Sequence, residues 1–135
     1  VLIVRAAAFA LTTTAWADGS RQTSGSGKTH HGGTFGFNVK SDLKGELEFH
    51  SPDGSLNVHC SAPAFYVDWS SKSGYPDTVF RFFDCRGADT VWVDAQDRGE
   101  PGTYDKVKIR VKTGGVIVAG DQGFIANGNV QILGG

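Results

Sequence analysis

The sequence predicts an all-β domain, an antiparallel meander of eight or nine short strands that forms a small barrel or a two-layer sandwich. Apolar and polar residues alternate along most of the chain, as in strands with one buried and one solvated face. Turn-forming residues separate these segments, and 19 of the 135 residues are glycine. No helical period of about 3.6 residues follows the first seventeen residues.

The predicted strands succeed one another from residue 33 onward. Alternating segments occupy residues 35–39, 43–49, 56–60, 65–69, 91–95 and 107–111, and shorter apolar segments follow at 116–119, 124–125 and 130–133. The run 78–85 is continuously apolar enough for a strand buried on both faces. Most gaps are too short for the crossover of about a dozen residues that parallel strands need, so the strands are expected to be antiparallel. So many strands must curl or fold over, as a barrel or a sandwich does.

Three segments with different roles are predicted along the chain. Residues 1–17 resemble a secretory signal peptide, with Arg5, an apolar core and the small pair Ala15 and Ala17 before the cleavage site. The alternative for this segment is a buried N-terminal strand or helix. The chain contains no methionine, so its front is either truncated or begins at a non-standard start codon. Residues 18–32 are predicted to be a flexible lead-in rich in Gly, Ser and Thr, and residues 33–135 a single β domain.

Charge and hydropathy restrict the range of partners. The chain has 13 basic and 14 acidic side chains, and losing Arg5 with the leader leaves 12 and 14, a net charge of −2. Nucleic-acid binding requires a basic field, which this balance does not supply. No apolar run in the mature chain is long enough for a membrane span. We therefore expect a secreted, extracellular protein whose partner is an extracellular glycan or another protein.

The two cysteines, Cys60 and Cys85, are predicted to form a disulfide. In an exported protein an even cysteine count favours pairing, and closing a loop of about 25 residues would stabilise the fold by roughly 3–4 kcal/mol. Two buried free thiols are the alternative. A zinc site is not expected, because neither a C-x-x-C pair nor a paired-histidine spacing accompanies them.

The densest cluster of candidate ligand residues is a group of four carboxylates within twelve residues, those of Asp94, Asp97, Glu100 and Asp105. Calcium takes oxygen ligands from such loops, so a calcium site is one interpretation. The spacing is not that of an EF-hand, and the favoured interpretation is a structural turn. In it, Pro101-Gly102 forms a type II turn with positive φ at the glycine, while Asp97 and Asp105 bind loop amides. No other cofactor is predicted.

A stripe of four cations lies on one face of a predicted strand, and its members are Lys106, Lys108, Arg110 and Lys112. Such a stripe is suited to an anionic polysaccharide. The favoured interpretation is a solvated face or a protected sheet edge, since lysines on edge strands deter pairing with other chains.

Aromatic residues supply a second set of candidate ligand contacts. Trp92 and Tyr66 are out of register with their apolar neighbours and are candidates to stack on sugar rings. Packing within the domain remains the favoured role of Trp92. Trp69 is in register with Phe65 and Val67, which places it in the core.

Residues 33–132 resemble the post-COAP domains of secreted bacterial proteins. The resemblance rests on four segments in matching order and spacing, residues 36–39, 44–49, 93–102 and 128–132. Its most specific part is the Gly-Glu-Pro-Gly turn at 99–102, followed by Asp105 and an alternating strand. The resemblance implies a non-catalytic β module, often attached to surface proteins, with no catalytic residues to carry over. This chain stands nearly alone behind its leader, which puts in doubt a role as accessory to a neighbouring domain.

The leading hypothesis is a secreted, non-catalytic binding or structural module. A carbohydrate-binding module that uses Trp92, Tyr66 and the cationic stripe is the alternative. A small secreted hydrolase is a remote one, because it requires at least two of Asp94, Asp97, Glu100 and His59 to share one concave pocket. The chain also lacks the Gly-x-Ser-x-Gly elbow of serine hydrolases.

Overall fold

The computed structural model describes residues 21–134, and the leader predicted for residues 1–17 lies outside these described residues. The strands are β1 (Arg21–Thr29), β2 (Thr34–Lys40), β3 (Gly45–His50), β4 (Asn57–Ser61), β5 (Phe65–Asp68), β6 (Asp77–Phe82), β7 (Asp84–Arg86), β8 (Thr90–Gln96), β9 (Lys106–Thr113) and β10 (Val116–Gly134). The helices are the short α1 (Ser70–Ser73) and the 3₁₀ helix η1 (Gly102–Tyr104).

All ten described strands belong to one antiparallel sheet, which confirms the predicted all-β class. Their order is β5-β6-β8-β9-β10-β1-β2-β3-β4-β7. The runs β1 to β4 and β8 to β10 are meanders, as the short gaps predict. The strand count exceeds eight or nine because residues 21–29 form a strand and the apolar run 78–85 divides into β6 and β7. The three C-terminal segments, in contrast, merge into the 19-residue strand β10.

Two short connections require the sheet to curl. β4 and β5 lie eight positions apart in the strand order, as do β6 and β7. Eight steps across a flat sheet would span about 38 Å. Residues 62–64 alone join β4 to β5, and Phe83 alone joins β6 to β7. A connection of four residue steps reaches about 14 Å at most. The two ends of the sheet therefore approach each other, and the domain is a curled half-barrel with a continuous sheet.

The concave side of the curled sheet holds the core. Alternate residues point inward, so that Val107, Ile109 and Val111 of β9 are buried and the residues between them face outward. Aromatic rings fill the centre, where Phe37 of β2 meets Phe80 of β6 edge to face with 5.3 Å between ring centroids. This contact joins strands from the two halves of the sheet across the interior.

The flexible lead-in predicted for residues 18–32 is wrong for β1, which pairs with β10 on one side and β2 on the other. Small residues suit its inward face because large neighbours occupy the interior. A Cβ atom at Gly25 would lie 3.0 Å from the ring of Phe37. The buried Thr23 hydroxyl shares a 2.7 Å hydrogen bond with Thr78 of β6. The ordered domain thus includes residues from 21 onward, and its predicted start at residue 33 is too late.

The predicted disulfide is confirmed, since Cys60 of β4 is bonded to Cys85 of the edge strand β7. The two residues are direct partners in the ladder. The bond therefore fastens a three-residue strand that has few other contacts to hold it in the sheet.

We predict that the double variant Cys60→Ala/Cys85→Ala lowers the free energy of unfolding by roughly 3–4 kcal/mol, because the unfolded chain loses the constraint of a closed loop. The loop spans a sequence separation of 25. Urea denaturation measures the change. Reductant should destabilise the wild type to the same extent and leave the variant unaffected. An unchanged urea midpoint in the variant would contradict the prediction.

An ion pair connects the edge strand β5 to β1, with 2.8 Å between the Arg21 guanidinium and the Asp68 carboxylate. The hydroxyl and the backbone N–H of Ser70 also donate to Asp68. The bonds from Ser70, and secondarily the charge of Arg21, hold the pKa of Asp68 below its ordinary value.

We predict that Asp68→Asn reduces the loss of folding stability that occurs as the pH falls into the acid range. The pKa of Asp68 is lower in the folded chain, so the carboxylate stabilises the fold above its unfolded pKa, and this contribution is lost as the pH falls through the lowered value. Urea midpoints between pH 2 and pH 6 measure the effect. The exposed Asp42→Asn is the control, and equal acid slopes for wild type and Asp68→Asn would refute the prediction.

Candidate functional site

The predicted cationic stripe lies on the outer surface of β9. Lys106, Lys108, Arg110 and Lys112 alternate with buried residues and point away from the core. β9 pairs with β8 on one side and β10 on the other. The interpretation that these cations protect a sheet edge is therefore wrong, because β9 is an internal strand. The alternatives that remain are a solvated face and a binding face.

A row of alternating aromatic and arginine side chains crosses the outer surface of four strands. Arg110 of β9 is paired with Trp92 of β8, Trp92 with Arg81 of β6, and Arg81 with Phe65 of β5. The Arg110 guanidinium lies 5.3 Å from the Trp92 ring centroid, and that of Arg81 lies 5.5 Å from Phe65. Lys108 approaches Trp92 from the next position, at 5.8 Å. Each cation is within the range of a cation–π contact.

We call Arg81, Lys106, Lys108, Arg110 and Lys112, together with Trp92, the basic face. Trp92 is half-buried on this outer surface, with its indole flanked by cations. The sequence singled out Trp92 as an aromatic candidate for the surface, but it missed Arg81 because that residue lies within the apolar run 78–85. The register of the run could have revealed it, since Arg81 alternates with the buried Phe80 and Phe82.

Two grooves indent the basic face. One has a volume of about 320 Å³, and Arg81, Trp92, Arg110, Lys112, Asp89 and Ile117 contribute to its walls. The other has about 390 Å³, and Lys106, Lys108, Asp94, Gln96, Gln122 and His31 contribute to its walls. Both grooves combine cations, which can bind an anion, with hydrogen-bonding side chains, and each groove also holds one carboxylate.

Within residues 21–134, no cation of the basic face forms an ion pair with a carboxylate, although Asp94 lies opposite Lys108 in the ladder. Among residues 21–134, the ion pairs involve other cations, namely Arg21, Lys44, His31 and His59. The carboxylates of Asp89 and Asp94 lie in the groove walls. Asp89 already accepts a 2.7 Å hydrogen bond from the backbone N–H of Gly114. A chain with a net charge of −1 thus concentrates five cations on a surface that holds two carboxylates.

Tyr66, the other aromatic residue predicted to contact a ligand, is not part of this surface. It pairs with the buried Phe80 and therefore faces the interior, with its ring stacked 6.2 Å from that of Phe80. Its hydroxyl shares a 2.7 Å hydrogen bond with Thr23. Burial raises the pKa of Tyr66. Trp69, which was expected in the core, instead precedes α1 and is 37% exposed, because β5 ends at Asp68.

The acidic loop after β8 accepts hydrogen bonds from backbone amides along one edge of β10. The buried Asp105 accepts hydrogen bonds from the backbone N–H groups of Arg98 at 2.7 Å and Val130 at 2.9 Å, one on each oxygen. Asp97 accepts from Gly99 at 3.0 Å and from Ile132 at 3.1 Å. Val130 and Ile132 would otherwise present unpaired amides, since β10 has no strand on this side of its second half. Burial raises the pKa of Asp105, and its two backbone donors oppose this shift.

These bonds agree with the structural interpretation of the loop. Glu100 is exposed and Asp94 lies on the outer surface of β8. Residues 21–134 contain no group of three or more His, Cys, Asp or Glu side chains placed to hold a metal ion. The predicted type II turn is wrong, because Gly102 begins η1 without a positive φ. Glycine is needed there for space, since a Cβ atom would lie 2.3 Å from the carbonyl oxygen of Gly128.

The groups proposed for a hydrolase are distributed over different surfaces. Asp94 lines a groove on the basic face, whereas His59 lies over β3 and β4. The His59 ring stands between two carboxylates, with Nδ1 3.5 Å from Glu48 and Nε2 3.6 Å from Glu46. Both oxygens of Asp97 are engaged by backbone amides. The arrangement required of a hydrolase, with two of these groups in one pocket, is not formed by Asp94 and His59.

The chain matches no protein-family model, no curated protein sequence and no solved structure. Neither helix within residues 21–134 has the length and apolar character needed to cross a membrane.

We predict that Asp105→Asn lowers the free energy of unfolding by about 2 kcal/mol or more, because the amide replaces one acceptor with a donor that faces a buried N–H. Thermal and urea denaturation measure the change. Asp84→Asn, on the exposed edge strand β7, is the matched control and should leave stability within about 0.5 kcal/mol. Equal stabilities for the two variants would contradict the capping role of Asp105.

Proposed function

We propose that this chain is a secreted, non-catalytic β domain that binds an anionic polysaccharide through its basic face. One observation supports this function above the others. Lys108 and Arg110 flank the half-buried Trp92 on an outer surface that holds five cations. None of the five forms an ion pair with a carboxylate of residues 21–134. A cluster of cations of this kind attracts polyanions.

The two types of side chain suit the two parts of a charged sugar. The indole of Trp92 offers a flat apolar surface for the C–H face of a pyranose ring. Arg110 and Arg81, on either side of Trp92, present planar guanidinium groups that bind carboxylate or sulfate groups with paired hydrogen bonds. Cations at alternate positions of β9 are spaced by about 6.7 Å, so a chain molecule lying along the strand would meet several of them.

Secretion is supported by the predicted leader and by the disulfide. Structural disulfides persist in oxidising compartments and are rare in the cytosol. The resemblance of residues 33–132 to post-COAP domains supports a non-catalytic module outside the cell. The near-neutral charge of the whole chain disfavours nucleic acid as the partner.

We predict that the chain binds acidic polysaccharides, with pectate, alginate and dextran sulfate as probes, and does not bind neutral dextran. Trp92→Ala and Arg110→Ala should each weaken binding by about five- to tenfold through loss of stacking and charge. Calorimetric titration at low and at physiological salt measures this, and salt should weaken binding because the cations are exposed.

Two variants serve as controls for this experiment. Trp69→Ala removes an exposed indole beside α1, and Lys44→Ala removes an exposed cation between β2 and β3, so both should bind as the wild type does. The proposal fails if no acidic polysaccharide binds, or if Trp92→Ala binds as well as Trp69→Ala. Equal affinity for single-stranded DNA would indicate a non-selective polyanion surface and also overturn it.

A further inference from the structure

We propose that the acidic polysaccharide has a second subsite on this outer surface, formed by Phe124, Arg98 and Lys106. We call these three residues the Phe124 subsite. It lies at the other end of the larger groove from Trp92. The proposal rests on the proposed function, because it states that the basic face takes a segment of several sugar units of the same polymer.

The guanidinium of Arg98 is held in place by its neighbours. Its Nε and Nη2 atoms donate to the side-chain oxygen of Gln96 at 3.2 and 3.1 Å. Gln96 is fixed in turn, since its amide nitrogen donates to Asp77 at 3.1 Å. The guanidinium also stacks on the ring of Tyr75, 4.2 Å from the ring centroid. A guanidinium carries five N–H donors, so a group held through one edge can still donate to an anion from the others.

The ring of Phe124 lies against two cations on the outer surface. Lys106 is its direct partner in the ladder, with Nζ 4.7 Å from the ring centroid. Arg98 lies 5.7 Å from the same centroid, and Phe124 is 42% exposed. Neither cation belongs to an ion pair within residues 21–134. The arrangement around Trp92, an aromatic ring contacted by two cations, is thus repeated at Phe124.

The larger groove, of about 390 Å³, connects the two rings. Lys108 lines this groove and contacts Trp92, and Lys106 lines it and contacts Phe124. Trp92 is the ladder partner of Arg110, four residues along β9 from the partner of Phe124. The rings are therefore about 13 Å apart along the strands and about 10 Å apart across them. A single sugar ring is too small to contact both, so a ligand that does so is a chain of sugar units.

The walls of the groove combine cations with acceptors of hydrogen bonds. Lys108 is flanked in the ladder by Asp94 on one side and Gln122 on the other, and all three line the groove. Lysines bind the carboxylates of acidic sugars, whereas carboxylate and amide oxygens accept from sugar hydroxyls. A nucleic acid carries a phosphate on every unit, which the charge of Asp94 repels. The lining therefore favours a hydroxyl-rich acidic polysaccharide.

A ligand that reaches both rings gains affinity because its two ends are linked. Once one end is bound, the other end meets its subsite at a high effective concentration. We expect an oligosaccharide that spans the groove to bind at least about tenfold more tightly than one that covers a single ring. Loss of either ring should remove this gain.

Calorimetric titration of the full chain with galacturonate oligomers of about two and about eight units tests the subsite. Phe124→Ala should weaken binding of the longer oligomer by about five- to tenfold and should reduce its advantage over the shorter one. Arg98→Lys keeps the charge but loses the planar group that Gln96 holds, and should weaken the longer oligomer by about threefold or more. Leu133→Ala is the matched control, since Leu133 is another exposed apolar residue of β10, and it should bind as the wild type does. Near-UV circular dichroism checks that each variant is folded.

Nuclear magnetic resonance gives a separate signal for each ring. The indole N–H of Trp92 and the backbone N–H of Phe124 should shift together when the longer oligomer is added to the wild type, with one dissociation constant for both. In Phe124→Ala the Trp92 signal should still shift, at higher concentrations of the oligomer. This readout distinguishes a ligand in contact with both rings from one attracted by charge alone.

The Phe124 subsite is overturned if the longer oligomer shifts only the Trp92 signal, or if Phe124→Ala binds it as tightly as Leu133→Ala does. Binding that still depends on Trp92 would then leave the proposed function standing, so the two failures are distinguishable. A wild type that binds neither galacturonate oligomer also overturns the subsite. An Arg98→Lys variant that binds as the wild type does removes Arg98 from it and overturns the proposal in this form. Oligodeoxythymidylate that needs Phe124, where galacturonate oligomers do not, would assign the ring to nucleic acid and overturn it too.

Discussion

The fold depends on the change of partners within β10. This one strand pairs with β9 along its first part and with β1 along its second, so it makes two meanders into a single curled sheet. Such a crossing leaves backbone groups unpaired on alternate sides, and a buried unpaired amide is costly. Asp105 and Asp97 relieve this cost because each carboxylate accepts from an amide of β10 and from one in its own loop. The loop that first suggests a calcium site thus satisfies backbone amides that the change of partners in β10 leaves unpaired.

The same pleat that builds the core also creates the basic face. Because Val107, Ile109 and Val111 of β9 point inward, the cations between them must point outward together. The register of the neighbouring strands β8 and β6 places Trp92 and Arg81 on the same surface, because each is paired across the ladder with an outward residue. The surface over β3 and β4 has a different character, with His59 held between two glutamates. The domain therefore concentrates cations on one surface, although its overall charge is close to zero.

The local pattern of the sequence was sufficient to predict several features of the structure. Period-two alternation and turn residues predicted the all-β class, the antiparallel pairing and most strand positions, because a strand at the surface of a core requires such alternation. Cysteine count predicted the Cys60–Cys85 bond. The cationic stripe on β9 was evident because its four members share one parity. Each of these features depends on residues near one another in the chain, or on a composition that few alternatives satisfy.

Other features were decided only by contacts between distant segments. β1 has the composition of a flexible lead-in, yet it is an internal strand because it pairs with β10 on one side and β2 on the other. Tyr66 alternates like a surface residue, but it stacks on its ladder partner Phe80, and the curl of the sheet brings it to Thr23. The sequence by itself determined which side chains alternate and where the chain turns. The tertiary structure decided which face is inside and which strand edge is covered, because both depend on the partner that each strand meets across the sheet.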